Sequence, residues 1–221
     1  MTHLLFGATG QVGSAVLQAL LAADPAAEIT LLNRRHVPIH DANPRLRQVV
    51  LDPSAPDFAE RVADLAAGHR TATSCVGIGK GTATIPEADL MRTEVDAVGA
   101  YARGCRAAGV PKFALLLAVG IKESQVDARI KAVRVMAKKL QTVLDVGYDQ
   151  LAVFQPGTIV GNKNTPGWAA WLGNLIPDSW GYGSIHQETI GRAFAAYLTR
   201  EQPAGTQRYG NVEIKRLAGA E

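Results

Sequence analysis

The stretch Gly7-Ala8-Thr9-Gly10-Gln11-Val12-Gly13 constrains this chain more than any other. It follows a short apolar run, Leu4-Leu5-Phe6, and opens a segment in which Val12, Val16, Leu17, Leu20 and Leu21 recur at helical spacing until Asp24-Pro25. Three glycines at a strand-to-helix junction each have a physical task. Gly7 allows the tight turn, Gly10 lets backbone approach a pyrophosphate, and Gly13 lets the helix pack close to the strand. The helix start then offers unpaired N–H groups and the positive end of its dipole to phosphates. Such a turn belongs to a β-α-β unit, which commits the chain to a parallel sheet.

The remaining sequence continues that alternation. Segments 29–32, 49–51, 71–76, 113–119 and 151–154 have strand character, and 113–119 is apolar enough to be buried on both faces. Helices are predicted near 58–67 and over 86–108, the latter stopped by Gly109 and Pro111. A further helix is predicted over 126–144, where Val126, Ile130, Val133, Ala137, Leu140 and Leu144 step by four and three. Ser124-Gln125-Val126-Asp127 reads as its cap. The expected fold is α/β, a Rossmann-type doubly wound parallel sheet. Residues 155–185 change texture: they carry many Gly, Pro and Asn and all three tryptophans, with a short helical stretch near 168–175. A segment that long is expected to work as a small C-terminal substrate cap. Segment 187–198 reads as a closing helix and 209–214 as an edge strand, making one NAD(P)-binding domain of residues 1–221.

Composition narrows the function. Of 221 residues, 47% are hydrophobic and 19% charged, which excludes a disordered charged chain. No apolar run reaches the ~18 to 20 residues of a membrane span, and the N-terminus has no basic n-region, so neither a membrane span nor a secretion leader is expected. A net charge of +3 without a basic block speaks against a nucleic-acid partner. Cys75 and Cys105 have no metal-site spacing and read as buried free thiols, consistent with a reducing, cytoplasmic compartment.

The second strand end decides between dinucleotides. NAD sites usually place an acid there for the ribose 2′-OH. This chain has Leu32-Asn33-Arg34-Arg35 and no acid before Asp41. Guanidinium groups suit a 2′-phosphate, so NADP(H) is the expected cofactor, the alternative being a solvated surface pair. Asp52, after the third strand, either bonds the adenine amino group or caps the turn at Pro53. Val76-Gly77-Ile78-Gly79 lets backbone pass near the cofactor's middle, and Lys80 makes no P-loop, because Ser74 and Gly81 stand where that motif needs Gly and Ser or Thr. The expected nucleotide contacts are thus Gly7, Thr9, Gly10, Gln11, Val12, Gly13, Asn33, Arg34, Arg35, Asp52, Val76 and Gly77.

Taken together, these stretches resemble an atypical short-chain dehydrogenase/reductase, within it the Tat-interactive oxidoreductase-like proteins and NAD-dependent epimerase-like relatives. Ala108-Gly109-Val110-Pro111-Lys112-Phe113, Val153-Phe154-Gln155-Pro156-Gly157 and Leu175-Ile176-Pro177-Asp178-Ser179-Trp180 carry the resemblance beyond the first loop. It implies a further cofactor contact at Pro156 and Gly157, a small-molecule substrate, and a monomer or homodimer.

One departure matters. The family's chemistry uses a Ser after the fifth strand and a Tyr-x-x-x-Lys on the next helix, the Tyr moving a proton while hydride moves. Counting back from Phe154-Gln155-Pro156-Gly157 puts these positions at Ala118, Ala132 and Met136. No Tyr occurs between Tyr101 and Tyr148, and segment 113–119 has no Ser. Lys122, Arg129, Lys131, Tyr182 and His186 are the remaining polar candidates, and no catalytic residue is assigned. The sequence therefore leaves two readings: an NADP(H)-binding oxidoreductase-like protein without the usual triad, or a non-catalytic NADP(H)-binding sensor or protein-interaction module, as in the nitrogen-regulator-like branch of the family.

Overall fold

A computed structural model describes residues 1–78, 82, 84–161 and 183–219. Strands β1 (Thr2–Phe6), β2 (Glu28–Asn33), β3 (Leu46–Val50), β4 (Thr71–Ser74), β5 (Lys112–Leu116), β6 (Gln150–Phe154) and β9 (Gly205–Tyr209) form one seven-stranded sheet in the order β3-β2-β1-β4-β5-β6-β9. Every pairing in it is parallel. Chain direction across the sheet reverses between β1 and β4, the switch point at which an open α/β sheet leaves a crevice beyond its strand ends.

Successive side chains of a strand point to opposite faces, so a strand covered on both sides must be apolar throughout. In β1, Leu4 and Phe6 join one core with Phe58, Val62, Tyr101, Cys105 and Leu140, whereas Leu5 joins the other with Val16, Leu20, Phe154 and Phe194. The first core lies under α2 (Phe58–Ala66), α4 (Ala97–Ala107) and α5 (Lys131–Leu144), the second under α1 (Gln11–Ala23) and α6 (Gln187–Thr199). Cys75 and Cys105 are both buried free thiols, pushed up by desolvation, Cys75 to about 12.

Four expectations are corrected. The helix predicted over 126–144 begins at Lys131, with Ile130 extended and 67% exposed at its N-cap. Arg134 donates to the carbonyls of Ala128 and Arg129, satisfying in another way groups that an earlier helix start would have used. Segment 124–127 is therefore no helix cap: Glu123–Gln125 is a 3-10 turn, closed where Lys122 N–H donates to Gln125 Oε1 at 2.8 Å. The single helix expected over 86–108 is composite, with α3 (Glu87–Leu90), a π-helical segment (Met91–Asp96) and then α4. The edge strand expected over 209–214 is β9 instead, followed by α7 (Asn211–Leu217), whose first turn is closed by Glu213 accepting from Gly210 N–H.

The segment after β6 begins with β7 (Thr158–Val160), which pairs in parallel with β8 (Ser184–His186). Asn211 sits beneath this pair, accepting from Gly157 N–H at 2.9 Å and donating to Gly183 O at 2.8 Å. The helical stretch expected near 168–175, the three tryptophans and Tyr182 lie outside the described residues.

Candidate functional site

A cleft of about 560 Å³ opens at the carboxyl ends of the strands. It is lined from four successive crossovers: Phe6, Gly7, Thr9 and Gly10 after β1; Leu32, Asn33 and Arg34 after β2; Asp52, Pro53 and Ser54 after β3; Cys75, Val76, Gly77 and Ile78 after β4. Arg92, Thr93 and Ala97 close it from the π-helical segment and the start of α4.

The glycines explain the first wall. Gly7 has φ +96°, and a Cβ there would stand 2.8 Å from Cys75 C and Val76 N, so only glycine lets β1 turn against the β4 loop. A Cβ on Gly13 would stand 2.0 Å from Gly7 O, which requires glycine for helix-on-turn packing. Gly10 differs: its nearest neighbour would be Gly7 O at 3.4 Å, so the protein leaves room there, facing the cleft. Gly10 is also the N-cap of α1, with no side-chain cap and no acid in the first turn. The N–H groups of Gln11, Val12 and Gly13 therefore keep their capacity for an anion. This cradle fits a pyrophosphate.

The second wall fits the adenosine end. Asn33 is buried and donates to Gln48 Oε1 at 3.1 Å. Gln48 also accepts from Val37 N–H and donates to Val37 O and Asp41 Oδ1, which pins both ends of the loop carrying the arginines. Arg34 lines the cleft; Arg35 is exposed beside it and outside the lining. Neither guanidinium is paired with a carboxylate among the described residues. Asp41, the first acid after them in sequence, is held by His36 at 2.7 Å and by Gln48. Asp52 accepts from Ser54 N–H at 2.9 Å and Oγ at 2.7 Å through Oδ1, and these bonds hold its carboxyl below the usual range. It thus caps its turn while still lining the cleft.

Of the residues expected to touch a nucleotide, Gly7, Thr9, Gly10, Asn33, Arg34, Asp52, Val76 and Gly77 line the cleft together. Gln11, Val12 and Gly13 form the helix turn above it. Pro156 and Gly157 are not part of the lining; Gly157 is engaged by Asn211. Arg92, Thr93 and Gln48 were not anticipated. A helical pattern cannot tell which polar face meets a cleft, and Gln48 acts only through a loop eleven residues away.

Among the described residues, the polar candidates for proton chemistry do not converge on this lining. Lys122 and Arg129 are exposed, Lys131 Nζ donates to Ile85 O at 2.6 Å, and His186 is exposed beside Glu188 at 3.2 Å. Ala132 is half-buried, and Met136 packs beside Leu90, Val95, Val135 and Ile78. The flanking tyrosines are core residues: Tyr101 donates to Leu4 O at 2.9 Å and Tyr148 to Ala102 O at 2.6 Å, and burial pushes both hydroxyls up. Among the described residues no group of three or more His, Cys, Asp or Glu could hold a metal, and no helix is long and apolar enough to cross a membrane.

Comparison with known proteins agrees with this cleft. Residues 7–147 match the model of a family described as NAD(P)H-binding. Protein HTATIP2 of Rattus norvegicus is 26% identical over 200 residues, covering 86% of this chain and 77% of its own length. Among solved structures, MoeE5 in complex with UDP-glucose and NAD superposes with a TM-score of 0.70 at 15% identity, covering 99% of this chain and 81% of MoeE5. A double mutant of DesIV, a dTDP-glucose 4,6-dehydratase from Streptomyces venezuelae with NAD bound, superposes at 0.72 with 18% identity, covering 99% and 79%. At such identities the structures share the fold.

Proposed function

Since the chain belongs to the NAD(P)H-binding family, we propose that it is an atypical, oxidoreductase-like member that prefers NADP(H) to NAD(H) and lacks the usual Ser-Tyr-Lys relay. One observation carries the preference: Arg34 and Arg35 stand at the end of β2 without a carboxylate partner among the described residues, where the position for a ribose-binding acid is Asn33. A carboxylate there would bond a 2′-OH and repel a 2′-phosphate; two guanidiniums reverse that sign.

When bound, the dinucleotide supplies or accepts a hydride. The chain's own groups then do the following. The amides of Gln11, Val12 and Gly13 would hold the pyrophosphate, Arg34 and Arg35 would hold the 2′-phosphate, and Asp52 would accept from the adenine amino group. Val76 and Gly77 bring backbone along the middle of the nucleotide. Residues 155–185 cap a small-molecule substrate within one domain of residues 1–221. The protein works in a reducing, cytoplasmic compartment as a monomer or homodimer, without nucleic acid. The test is fluorescence titration with NADPH and NADH, where NADPH is expected to bind more tightly; equal affinities overturn the preference.

A second reading has its own support. Met136 is packed among apolar side chains where a charged partner for a catalytic hydroxyl would stand, and no Tyr occurs between Tyr101 and Tyr148. A non-catalytic NADP(H)-binding sensor or protein-interaction module needs only the nucleotide cleft. Oxidation of NADPH with carbonyl substrates separates the two, because binding is common to both.

A further inference from the structure

A buried ion pair stands behind the cleft and is used by none of the groups described above. Lys139 of α5 and Glu94 of the π-helical segment are each 2% exposed, with Nζ 3.0 Å from Oε2. Their remaining capacity goes to one stretch of backbone. Lys139 Nζ donates to Val76 O at 2.7 Å, and Ile78 N–H donates to Glu94 Oε1 at 2.7 Å. Gly77 lies between these two bonds, and its nearest neighbour would be the same carboxylate, at 3.6 Å. Val76, Gly77 and Ile78 all line the cleft.

We propose that Glu94 and Lys139 are positioning residues that hold loop 76–78 in the shape a dinucleotide requires. The proposal rests on the dinucleotide reading of the cleft. Burying two charges has a desolvation cost, and a well-packed apolar pair of similar volume usually stabilises a core as well or better. The surroundings would accept one, because Leu90, Val95, Val135 and Met136 already form an apolar contact between α5 and the segment that carries Glu94. What apolar side chains cannot do is accept from Ile78 N–H and donate to Val76 O. Those two bonds fix the backbone on both sides of Gly77, which the apolar contacts of the same two elements with the Ile78 side chain do not do. The π-helical segment joins the same device to the opposite wall, since Arg92 and Thr93 line the cleft while Glu94 points inward. Interruptions of this type are frequent at functional sites.

The experiment compares the full chain with Glu94→Leu/Lys139→Met and with Glu94→Asp, measuring NADPH affinity by fluorescence and stability by thermal melting. The double variant removes both charges together, so its melting point is expected near that of the unmodified chain, with NADPH binding weaker by about tenfold. Glu94→Asp keeps the charge pair but withdraws the acceptor from Ile78, and a smaller loss of affinity is expected. Affinity within about twofold in both variants makes the pair merely structural and overturns the proposal. Should the double variant fail to fold, Glu94→Asp decides by the same threshold. Hydrogen exchange on the unmodified, nucleotide-free chain gives an independent arm: a protected Ile78 amide supports the proposal, and exchange as fast as an unbonded loop overturns it. Failure of the unmodified chain to bind NADPH or NADH would instead sink the dinucleotide reading, so the two failures are distinguishable.

Discussion

The two ends of the sheet handle their polar groups in opposite ways. At the carboxyl end, the first-turn amides of α1 have no side-chain cap, Arg34 and Arg35 have no carboxylate partner among the described residues, and Gly10 leaves open space. At the amino end, polar side chains are buried or half-buried, and much of their capacity is taken up within the fold, although His3 Nε2 and His69 Nδ1 find no partner. His3 Nδ1 lies 2.7 Å from Thr71 Oγ1, His69 Nε2 3.0 Å from Thr30 Oγ1, and Lys112 Nζ donates to Arg200 O at 2.6 Å. One end keeps exposed hydrogen-bonding capacity that suits a ligand, and the other turns most of its polar groups inward. Substitutions at the two ends should therefore separate binding from folding.

The largest expected effect concerns turnover, because the carboxyl end holds binding groups but, among the described residues, none of the candidate proton donors. General acid help is worth ~10²- to 10⁴-fold in rate. NADPH is expected to bind while simple aldehydes, ketones and quinones turn over far below about 1 s⁻¹, the low end of ordinary enzymes. A steady-state assay following NADPH absorbance checks this, and turnover at that rate or faster would show that some other residue supplies the proton.

Gly10→Asp should divide the two ends most cleanly. It puts a carboxylate against the phosphates and is expected to weaken NADPH and NADH alike by about a hundredfold or more. The fold should not suffer, since the Cβ has room and Asp is a favoured N-cap beside the helix dipole. Titration paired with thermal melting would show a loss in the first without a loss in the second. A lower melting point would mean that the loop is already strained.

At the amino end, acid is the probe. Burial, and then the nearby N-terminal ammonium, push His3 from 6.5 down to about 4. Between those values only the unfolded chain takes up the proton, so stability is complete above pH 6.5 and falls as the pH drops toward about 4. The shift corresponds to about 3 kcal/mol at most. Urea unfolding across this range should show the loss, and His3→Gln should reduce it, leaving a part due to His69, which burial also pushes down. A profile with no slope there, or an unchanged slope in the variant, would remove His3 from the account.

The smallest effect is the most selective. Arg34→Ala/Arg35→Ala should cost NADPH about tenfold to a hundredfold in affinity, one bidentate charge-assisted contact being worth ~1.5 to 3 kcal/mol. NADH affinity and the melting point should hold. An equal loss for both nucleotides would mean that the arginines act on something other than the 2′-phosphate.

How far these contrasts were legible differs along the chain. The loop from Gly7 to Gly13, the buried strands and the acid-free end of β2 were visible as short-range patterns. Apolar periodicity failed at Ile130, because side-chain bonds from Arg134 to Ala128 and Arg129 decide where α5 starts. It also failed after Tyr209, where a glycine and Glu213 begin a helix. Asp52 left two roles open, and its bonds to Ser54 show the turn-capping role without removing the carboxyl from the cleft.

Sequence by itself determined the β-α-β turn, the doubly wound sheet and the kind of ligand its first loop can cradle. Each of these follows from backbone freedom at a few glycines or from burial periods within one element, and such constraints act over a handful of neighbouring residues. Only the tertiary structure decided that Gln48 braces the arginine loop, that Arg92 and Thr93 face the cleft, and that Glu94 meets Lys139 across 45 residues of chain. Those meetings depend on how helices dock and rotate on the sheet, which is set by the sum of many packing contacts and leaves no local pattern to read.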